Sequence, residues 1–337
     1  MPRLSLAQHL LGSIVPAVLA GNAVQIKHSP RTPLCADAFE RAFLAAGAPA
    51  GLVQSMHCAN ESVDAAITLP EVGFVSFTGS VAVGRKVQAS TSRRFIDTTL
   101  ELGGKDPAYV AADADLAAAA ASLIDGSFYN AGQSCCAIER VYCHADVHDE
   151  FVERALALVQ EYKMGDPLDA ATTLGPLALP AAPSLLEAQV AEATRKGARL
   201  LTGGSPATCE VSGRGRFFAP TLLDRCDHHA MGLMRDESFG PVLGVTKVAS
   251  DAEAAAKMDD SIYGLTACIF TSDAARAEWV GERVRVGTFF MNRCDYLDPL
   301  LPWGGVKNTG KGVSLSAHGF KAFTRLKGIH LKLNPNA

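Results

Sequence analysis

Short apolar runs alternate with helix-forming segments along the whole chain. The apolar runs predict strands at residues 23–27, 52–53, 73–77, 95–100, 140–143, 242–248 and 266–270. The segments between them predict helices at residues 35–46, 61–67, 81–89, 111–124, 151–161 and 183–196. Strands that alternate with helices of about a dozen residues are typical of βαβ units, so we predict an α/β fold with parallel strands.

The beginning of the chain admits two interpretations. An apolar run over Leu10–Leu19, behind Arg3 and before the small residue Ala20, resembles a secretory signal peptide. The alternative is a helix that ends at Gly21-Asn22 and leads into the strand at residues 23–27. We favour the helix, because glycine, serine and proline interrupt the apolar run, which is also too short for a transmembrane helix.

The composition is that of a globular protein. The chain has 337 residues, of which 48% are hydrophobic and 20% charged, enough to bury the core of one large or two ordinary domains. The net charge is −4 without a basic block, so we expect neither nucleic acid nor an anionic membrane as a partner. The nine cysteines are an odd number without CxxC spacing, which predicts reduced thiols of a cytoplasmic protein and no metal site.

Two neighbouring cysteines, Cys135 and Cys136, follow a Gly-Gln turn in FYNAGQSCCAIER. A thiol at a turn that enters a helix has its pKa lowered by the helix N-terminus and becomes a nucleophile. The alternative is that both are small buried hydrophobes, the commoner fate of cysteine. His144 follows eight residues after Cys136, so a Cys–His pair stays open.

Glu101 ends an apolar strand in LELGGKDP, where partial desolvation would suit its carboxylate to general-base catalysis. The alternative is an exposed charge at a strand end. In FTGSVAVG, Gly79, Ser80 and Gly84 lie where a strand meets a helix. Such a turn either binds a phosphate at the helix N-terminus or only caps the helix. The glycine- and proline-containing loops at residues 236–242 and 301–312 either connect elements or bind a ligand.

Together and in this order, these motifs resemble the aldehyde dehydrogenase superfamily from about Pro16 to the C-terminus. The resemblance implies a truncated Rossmann-type cofactor domain at residues 1–103 and an α/β catalytic domain at residues 104–305. It implies a C-terminal segment at residues 306–337, in which the alternating residues 328–333 form an oligomerisation strand. We therefore expect a homo-oligomer.

The resemblance also implies a reaction, the NAD(P)-dependent oxidation of an aldehyde to its carboxylic acid through a thiohemiacetal and a thioester. It makes Cys135 the nucleophile and Glu101 the general base. The implied cofactor contacts are Lys27 with the adenosine ribose, Gly79, Ser80 and Gly84 with the pyrophosphate, Glu237 with the nicotinamide ribose, and Phe239 with the nicotinamide.

Two departures from the family pattern shape the expectation. Pro30 stands where the family often has a ribose-binding carboxylate, so NAD is expected while NADP stays open. The position of the asparagine that completes the family's oxyanion hole falls at Leu4, whose side chain cannot donate a hydrogen bond. The alternative interpretations are therefore a truncated, catalytically impaired homologue and a thiol hydrolase that needs no cofactor.

Overall fold

The computed structural model of the protein describes residues 12–208, 213 and 215–333. The strands described there are β1 (Val24–Ile26), β2 (Val53–Ser55), β3 (Phe74–Thr78), β4 (Asp97–Glu101), β5 (Asp106–Val110), β6 (Ile138–His144), β7 (Arg199–Thr202), β8 (Pro206–Ala207), β9 (Phe217–Phe218), β10 (Thr221–Asp224), β11 (Val242–Val248), β12 (Thr266–Phe270), β13 (Thr288–Met291) and β14 (Gly310–Lys311). The helices are α1 (residues 12–19), α2 (Leu34–Ala45), α3 (Asn60–Ile67), α4 (Val81–Thr91), α5 (Leu116–Phe128), α6 (His148–Gln160), α7 (Ala182–Arg195), α8 (Asp251–Asp259), α9 (Ala274–Gly281) and α10 (Ser316–Lys321).

The largest sheet has seven strands in the order β13-β12-β5-β6-β11-β10-β7. Its first six strands are parallel, and β7 is antiparallel to β10 at the edge. All five residues of β5 are buried, as expected for a central strand of a parallel sheet. Helices α5, α6 and α8 pack on this sheet, and the main hydrophobic core lies between them and the strands. The predicted α/β fold is confirmed.

The first hundred residues build two smaller sheets. Strands β1 and β2 form a parallel pair, whose core includes Ile14, Ile26 and Val53. Strands β3 and β4 are also parallel, and β14 pairs antiparallel with β4 from far along the chain. The predicted domain division at residue 103 stays a prediction.

One helix boundary and one strand differ from the sequence interpretation. The helix predicted from residue 111 begins instead at Leu116, because the Asp115 side chain accepts hydrogen bonds from the amides of Ala117 and Ala118 and caps α5. The preceding strand β5 was not predicted. Proline is unusual inside a central strand, and β5 tolerates Pro107 because the register with β6 shifts next to it.

At the N-terminal side, residues 12–19 are helical and β1 follows, as the helix interpretation predicts. Gly21 adopts a φ of 88° after the helix, the left-handed conformation that glycine favours at a helix end. Ile14 is buried in the core that also holds β1 and β2. Leu4 lies outside the described residues. Among the helices that are described, none is long and apolar enough to cross a membrane.

At the C-terminal side, residues 324–333 form neither helix nor strand within the single chain. The predicted strand at residues 328–333 is therefore not formed there. The side chains of Ile329, Leu331 and Leu333 are largely exposed.

Candidate active site

Cys135 lies in a turn between a short 3-10 helix (Tyr129–Gly132) and β6. The chain reaches this turn through Asn130, Ala131 and Gly132, which all have positive φ. A Cβ on Gly132 would lie 2.2 Å from the carbonyl oxygen of Gly240, so only glycine lets the two loops touch. Cys135 precedes a strand, and the predicted activation by a helix N-terminus is therefore wrong.

The two neighbouring thiols have different surroundings. Cys136 is buried, and its Sγ donates a hydrogen bond to Asp295 Oδ1 at 2.8 Å. The hydrogen bond with Cys135, together with burial, raises the pKa of Cys136 well above its usual value. Cys135 is only half-buried. The thiol of Cys136 is thus held neutral, and that of Cys135 is the more accessible.

The possible Cys–His pair is not formed. His144 ends β6, whereas the cysteines precede its first residue. A strand rises about 3.3 Å per residue, so the length of β6 separates the His144 side chain from the two cysteines. His144 Nδ1 lies instead 3.5 Å from Asp146 Oδ2.

Glu101 is the last residue of β4 and is buried, with 9% of its surface exposed. Gly310 of β14 pairs directly with it, and the Ser314 hydroxyl donates to Glu101 Oε1 at 2.6 Å. The interpretation as an exposed strand-end charge is therefore wrong. Burial beside a hydrogen-bond donor is an environment suited to a general base.

The glutamate motif, the cysteine turn and the loop at residues 236–242 meet at Gly103 and Gly104. A Cβ on Gly104 would lie 2.2 Å from the Cys135 carbonyl oxygen, and one on Gly103 would lie 2.5 Å from Glu237 Oε2. The Gly104 amide donates to Glu237 Oε1 at 2.9 Å. The two glycines therefore allow three segments that are distant in sequence to come into contact.

Glu237 has an unusual acidity. Burial and, after it, the negative charge of Glu139 raise the pKa of Glu237 to about 7, although the Gly104 amide acts in the opposite direction. The carboxylate is therefore held in a place where its charge is costly unless a ligand donates to it. A sugar hydroxyl is a ligand of that kind.

A buried ion pair that the sequence analysis missed anchors this loop. Lys105 Nζ lies 2.6 Å from Glu139 Oε2 and donates to the Ser238 hydroxyl at 3.0 Å. Glu139 also accepts from the amides of Ser238 and Phe239, and Phe239 adopts a φ of 51°. Burial lowers the pKa of Lys105, and Glu139 only partly offsets this.

The residue predicted to bind the adenosine side of the cofactor lies beside β1 and β2. Lys27 follows β1, and its Nζ donates to Asn60 Oδ1 at 2.6 Å. Lys27 lines a cavity of about 220 Å³, together with His28, Pro30 and His57. These groups at the carboxyl ends of two parallel strands fit a ribose, since ligands of open α/β sheets bind at that edge.

The phosphate turn follows β3. Ser80 caps α4, and its hydroxyl accepts from the Val83 amide at 3.4 Å, so the helix N-terminus expected beside a phosphate is present. Gly79 donates its amide to the Glu101 carbonyl at 3.0 Å. Gly84 is buried, and a Cβ there would lie 2.5 Å from Leu102. Its part in binding a cofactor stays a prediction.

Four side chains of the site were not found from the sequence: Lys105, Glu139, Asp295 and Ser314. Lys105 directly follows Gly-Gly and Glu139 directly precedes the strand predicted at residues 140–143, so a charge beside a strand start was the available signal. Asp295 and Ser314 lie in irregular segments after β13 and β14 that no periodicity describes.

A half-buried thiol and a buried carboxylate thus lie in segments that meet at two glycines of a parallel α/β scaffold. The model of the "Aldehyde dehydrogenase family" matches residues 7–329. The chain belongs to this family.

Known proteins of similar sequence and structure extend over nearly the whole chain. Betaine aldehyde dehydrogenase 1 of Rhizobium meliloti is 35% identical over 95% of this chain and 65% of its own length. A solved structure concerned with cofactor and substrate selection by Gox0499 is 37% identical, with a TM-score of 0.91, and the match covers 96% of this chain and 70% of that one. A Mycobacterium tuberculosis aldehyde dehydrogenase complexed with NAD⁺ is 33% identical, with a TM-score of 0.88, over 94% and 64%. The chain thus spans about 65% of the length of the curated relative.

Proposed function

We propose that the chain carries the catalytic machinery of an NAD(P)-dependent aldehyde dehydrogenase, which oxidises an aldehyde to its carboxylic acid. The observation that supports this most directly is the contact of the Glu101, Cys135 and Glu237 segments at Gly103 and Gly104. Membership of the family supports the reaction type, and this contact supports the proposal because it joins the three segments that carry these residues.

Cys135 acts as the nucleophile in this proposal. Its thiolate attacks the aldehyde carbonyl and forms a thiohemiacetal, whose oxyanion is stabilised by the backbone N–H of Cys135. When bound, the nicotinamide accepts the hydride. The carbon then remains on Cys135 as a thioester. Glu101 takes a proton from water, which attacks the thioester carbonyl and releases the acid and the thiolate.

The residues that would hold the cofactor come from separate segments of the chain. Lys27 would donate to the adenosine ribose, and the N-terminus of α4 at Gly79, Ser80 and Gly84 would take the pyrophosphate. Glu237 would accept from the nicotinamide ribose, and Phe239 would pack near the nicotinamide ring. NAD is the expected cofactor, and NADP is the alternative to be tested.

The test is reduction of NAD⁺ and NADP⁺ at 340 nm against a panel of aldehydes, with Cys135→Ala as the inactive control. Absorbance that rises with at least one aldehyde and disappears in Cys135→Ala supports the proposal. Nucleotide binding without reduction would show the impaired homologue instead. Ester hydrolysis that needs no nucleotide, without any aldehyde oxidation, would show the thiol hydrolase.

We also propose that the protein works in the cytoplasm. None of the eight cysteines in the described part of the chain forms a disulfide, as expected in a reducing compartment.

A further inference from the structure

Ser314 is held rigidly at the edge of the catalytic core. Its amide donates to the Trp303 carbonyl at 2.7 Å, and its carbonyl accepts from the Trp303 amide at 2.8 Å. The residue is buried. Trp303 packs with Cys136 and Leu265 in the small cluster that Cys135 also contacts. The backbone of Ser314 is therefore tied to the wall beside the proposed nucleophile.

The side-chain hydroxyl of Ser314 has two acceptors within reach. Glu101 Oε1 lies at 2.6 Å and the Trp303 carbonyl oxygen at 3.4 Å. A hydroxyl has one proton to donate, and 2.6 Å is the distance of a charge-assisted bond to a carboxylate. The proton therefore belongs to the bond with Glu101.

The backbone that follows Ser314 is unusual. Leu315 has a φ of 59° and Ser316 a φ of 51°, so two successive residues with side chains have a positive φ. Such conformations are sparsely populated and persist only where the surroundings impose them. Here they lie between Ser314, which contacts Glu101, and the body of α10.

We propose that Ser314 is a positioning residue for Glu101: its hydroxyl donates to the Glu101 carboxylate and fixes the direction of that carboxylate while it takes a proton from water. This inference rests on the proposed function, in which Glu101 is the general base. The bonds that change are those of deacylation alone: water loses a proton to Glu101, its oxygen bonds to the thioester carbon, and the C–S bond breaks to release the Cys135 thiolate.

The experiment measures hydrolysis of 4-nitrophenyl acetate by the whole chain between pH 5 and 9. The burst reports acylation of Cys135, and the steady rate reports deacylation. Ser314→Ala keeps both backbone bonds to Trp303 and removes the hydroxyl. We expect an unchanged burst and a steady rate about tenfold lower at pH 6. The pH at which deacylation is half-maximal should be about one unit higher, which corresponds to the usual free energy of a hydrogen bond to a charged group.

Three further variants separate positioning from structure. Ser314→Thr retains a hydroxyl and should restore the wild-type pH profile. Ser314→Cys has a weaker donor and should shift the profile less than alanine, and it carries the test if Ser314→Ala does not fold. Thr309→Val removes a buried hydroxyl of the same loop that donates to the Gly103 carbonyl at 2.8 Å. It should lower the melting temperature without moving the half-maximal pH.

Glu101→Gln distinguishes failure of the inference from failure of the proposed function. If Glu101→Gln loses deacylation while Ser314→Ala, or Ser314→Cys in its place, keeps the wild-type profile, the inference is overturned and the general base stands. If Glu101→Gln deacylates at the wild-type rate, both are overturned. A profile that threonine does not restore also overturns the inference.

Discussion

The two adjacent thiols differ in what surrounds them. Cys136 is buried, donates to Asp295, and has a pKa far above the usual range, whereas Cys135 is half-buried. Only the thiolate of a cysteine reacts with iodoacetamide, and access to the thiol is also needed. The sequence order Gly-Gln-Ser-Cys indicated Cys135, and the structure adds the physical reason why its neighbour is unsuited.

We therefore expect Cys135→Ala to abolish both turnover and labelling by iodoacetamide at pH 7. Cys136→Ala should retain both, because its buried thiol is not required for the reaction. Mass spectrometry of the labelled peptide checks the assignment. Labelling that survives Cys135→Ala and vanishes in Cys136→Ala would reverse it.

Glu237 shows how a largely buried carboxylate lowers stability. Its pKa is about 7 in the folded chain and near 4.5 when unfolded, so the folded state holds a proton that the unfolded state loses between these values. Stability therefore falls as pH rises from about 4.5 to about 7, and the cost remains above pH 7.

We expect Glu237→Gln to stabilise the chain by about 2 kcal/mol at pH 8 and by almost nothing at pH 4.5, a magnitude reduced because the carboxylate is partly solvated. Urea unfolding at the two pH values measures the difference. Glu253→Gln is the control, since the pKa of Glu253 is lowered instead. Equal effects of Glu237→Gln at both pH values would contradict the argument.

At the scale of elements, one ion pair joins the strand starts to the loop at residues 236–242. Lys105 directly precedes β5, and Glu139 lies in β6. The Glu139 carboxylate accepts hydrogen bonds from two backbone amides of the loop. Removing one partner of such a buried pair leaves an uncompensated charge, which costs far more than the loss of a surface pair.

We expect Lys105→Met to destabilise the chain by about 3–5 kcal/mol. The double variant with Lys105→Met and Glu139→Gln should recover part of that loss, because neither charge of the buried pair remains. Arg154→Met removes the exposed bridge to Glu150 and should cost below about 1 kcal/mol. Denaturant unfolding of all three variants provides the comparison, and equal losses in the two single variants would refute the role of burial.

A second polar contact joins α6 to β10. His148 lies between Asp149, 2.7 Å from its Nδ1, and Asp224, 3.0 Å from its Nε2. Burial alone would lower the pKa of His148, but the nearby carboxylates of Asp224 and Asp149 outweigh this and raise it above 6.5. The protonated form therefore contributes stability below pH 6.5, which is lost as the pH rises through the folded-state pKa.

We expect His148→Asn to lose more stability at pH 6 than at pH 9. The free energy of unfolding at the two pH values, for wild type and variant, measures this difference. His229→Asn, at an exposed histidine whose ring contacts Asp260 and His228, is the control and should show a smaller change. A loss for His148→Asn that is independent of pH would show that only its packing matters.

The elements that the sequence predicted best have strong apolar runs, such as β11 and β12, whose bounds agree with the prediction. Strand β5 was missed because Pro107 and a preceding turn signal outweighed a short apolar run. In the site, Cys135 and Glu101 lie within distinctive motifs. Ser314 and Glu139 act through contacts with residues far away in the chain, which no local pattern carries.

For the whole molecule, the exposed C-terminal segment indicates a contact with another chain. Ile329, Leu331 and Leu333 are exposed and alternate as the residues on one face of a strand do. An unpaired apolar strand is an aggregation hazard for a monomer. We propose that this segment pairs with a second copy of the chain.

We expect light scattering at micromolar concentration to give a mass above that of the monomer. Replacing Ile329, Leu331 and Leu333 by serine should shift it toward the monomer. The same number of serines at Leu19, Leu168 and Leu300, which are exposed elsewhere, is the control and should not. A monomeric wild type, or equal effects of both sets, would count against the pairing.

The pairing of β14 with β4 also fixes an order of events during synthesis. Glu101 and Gly310 are partners in the sheet, but about two hundred residues separate them in the chain. A ribosome adds about 5–20 residues per second, so that edge of β4 waits roughly 10–40 s for its neighbour. The nascent chain therefore has the cysteine turn long before Glu101 gains the strand and the hydroxyl that enclose it, and the hydrolytic half of the site is the last to be assembled.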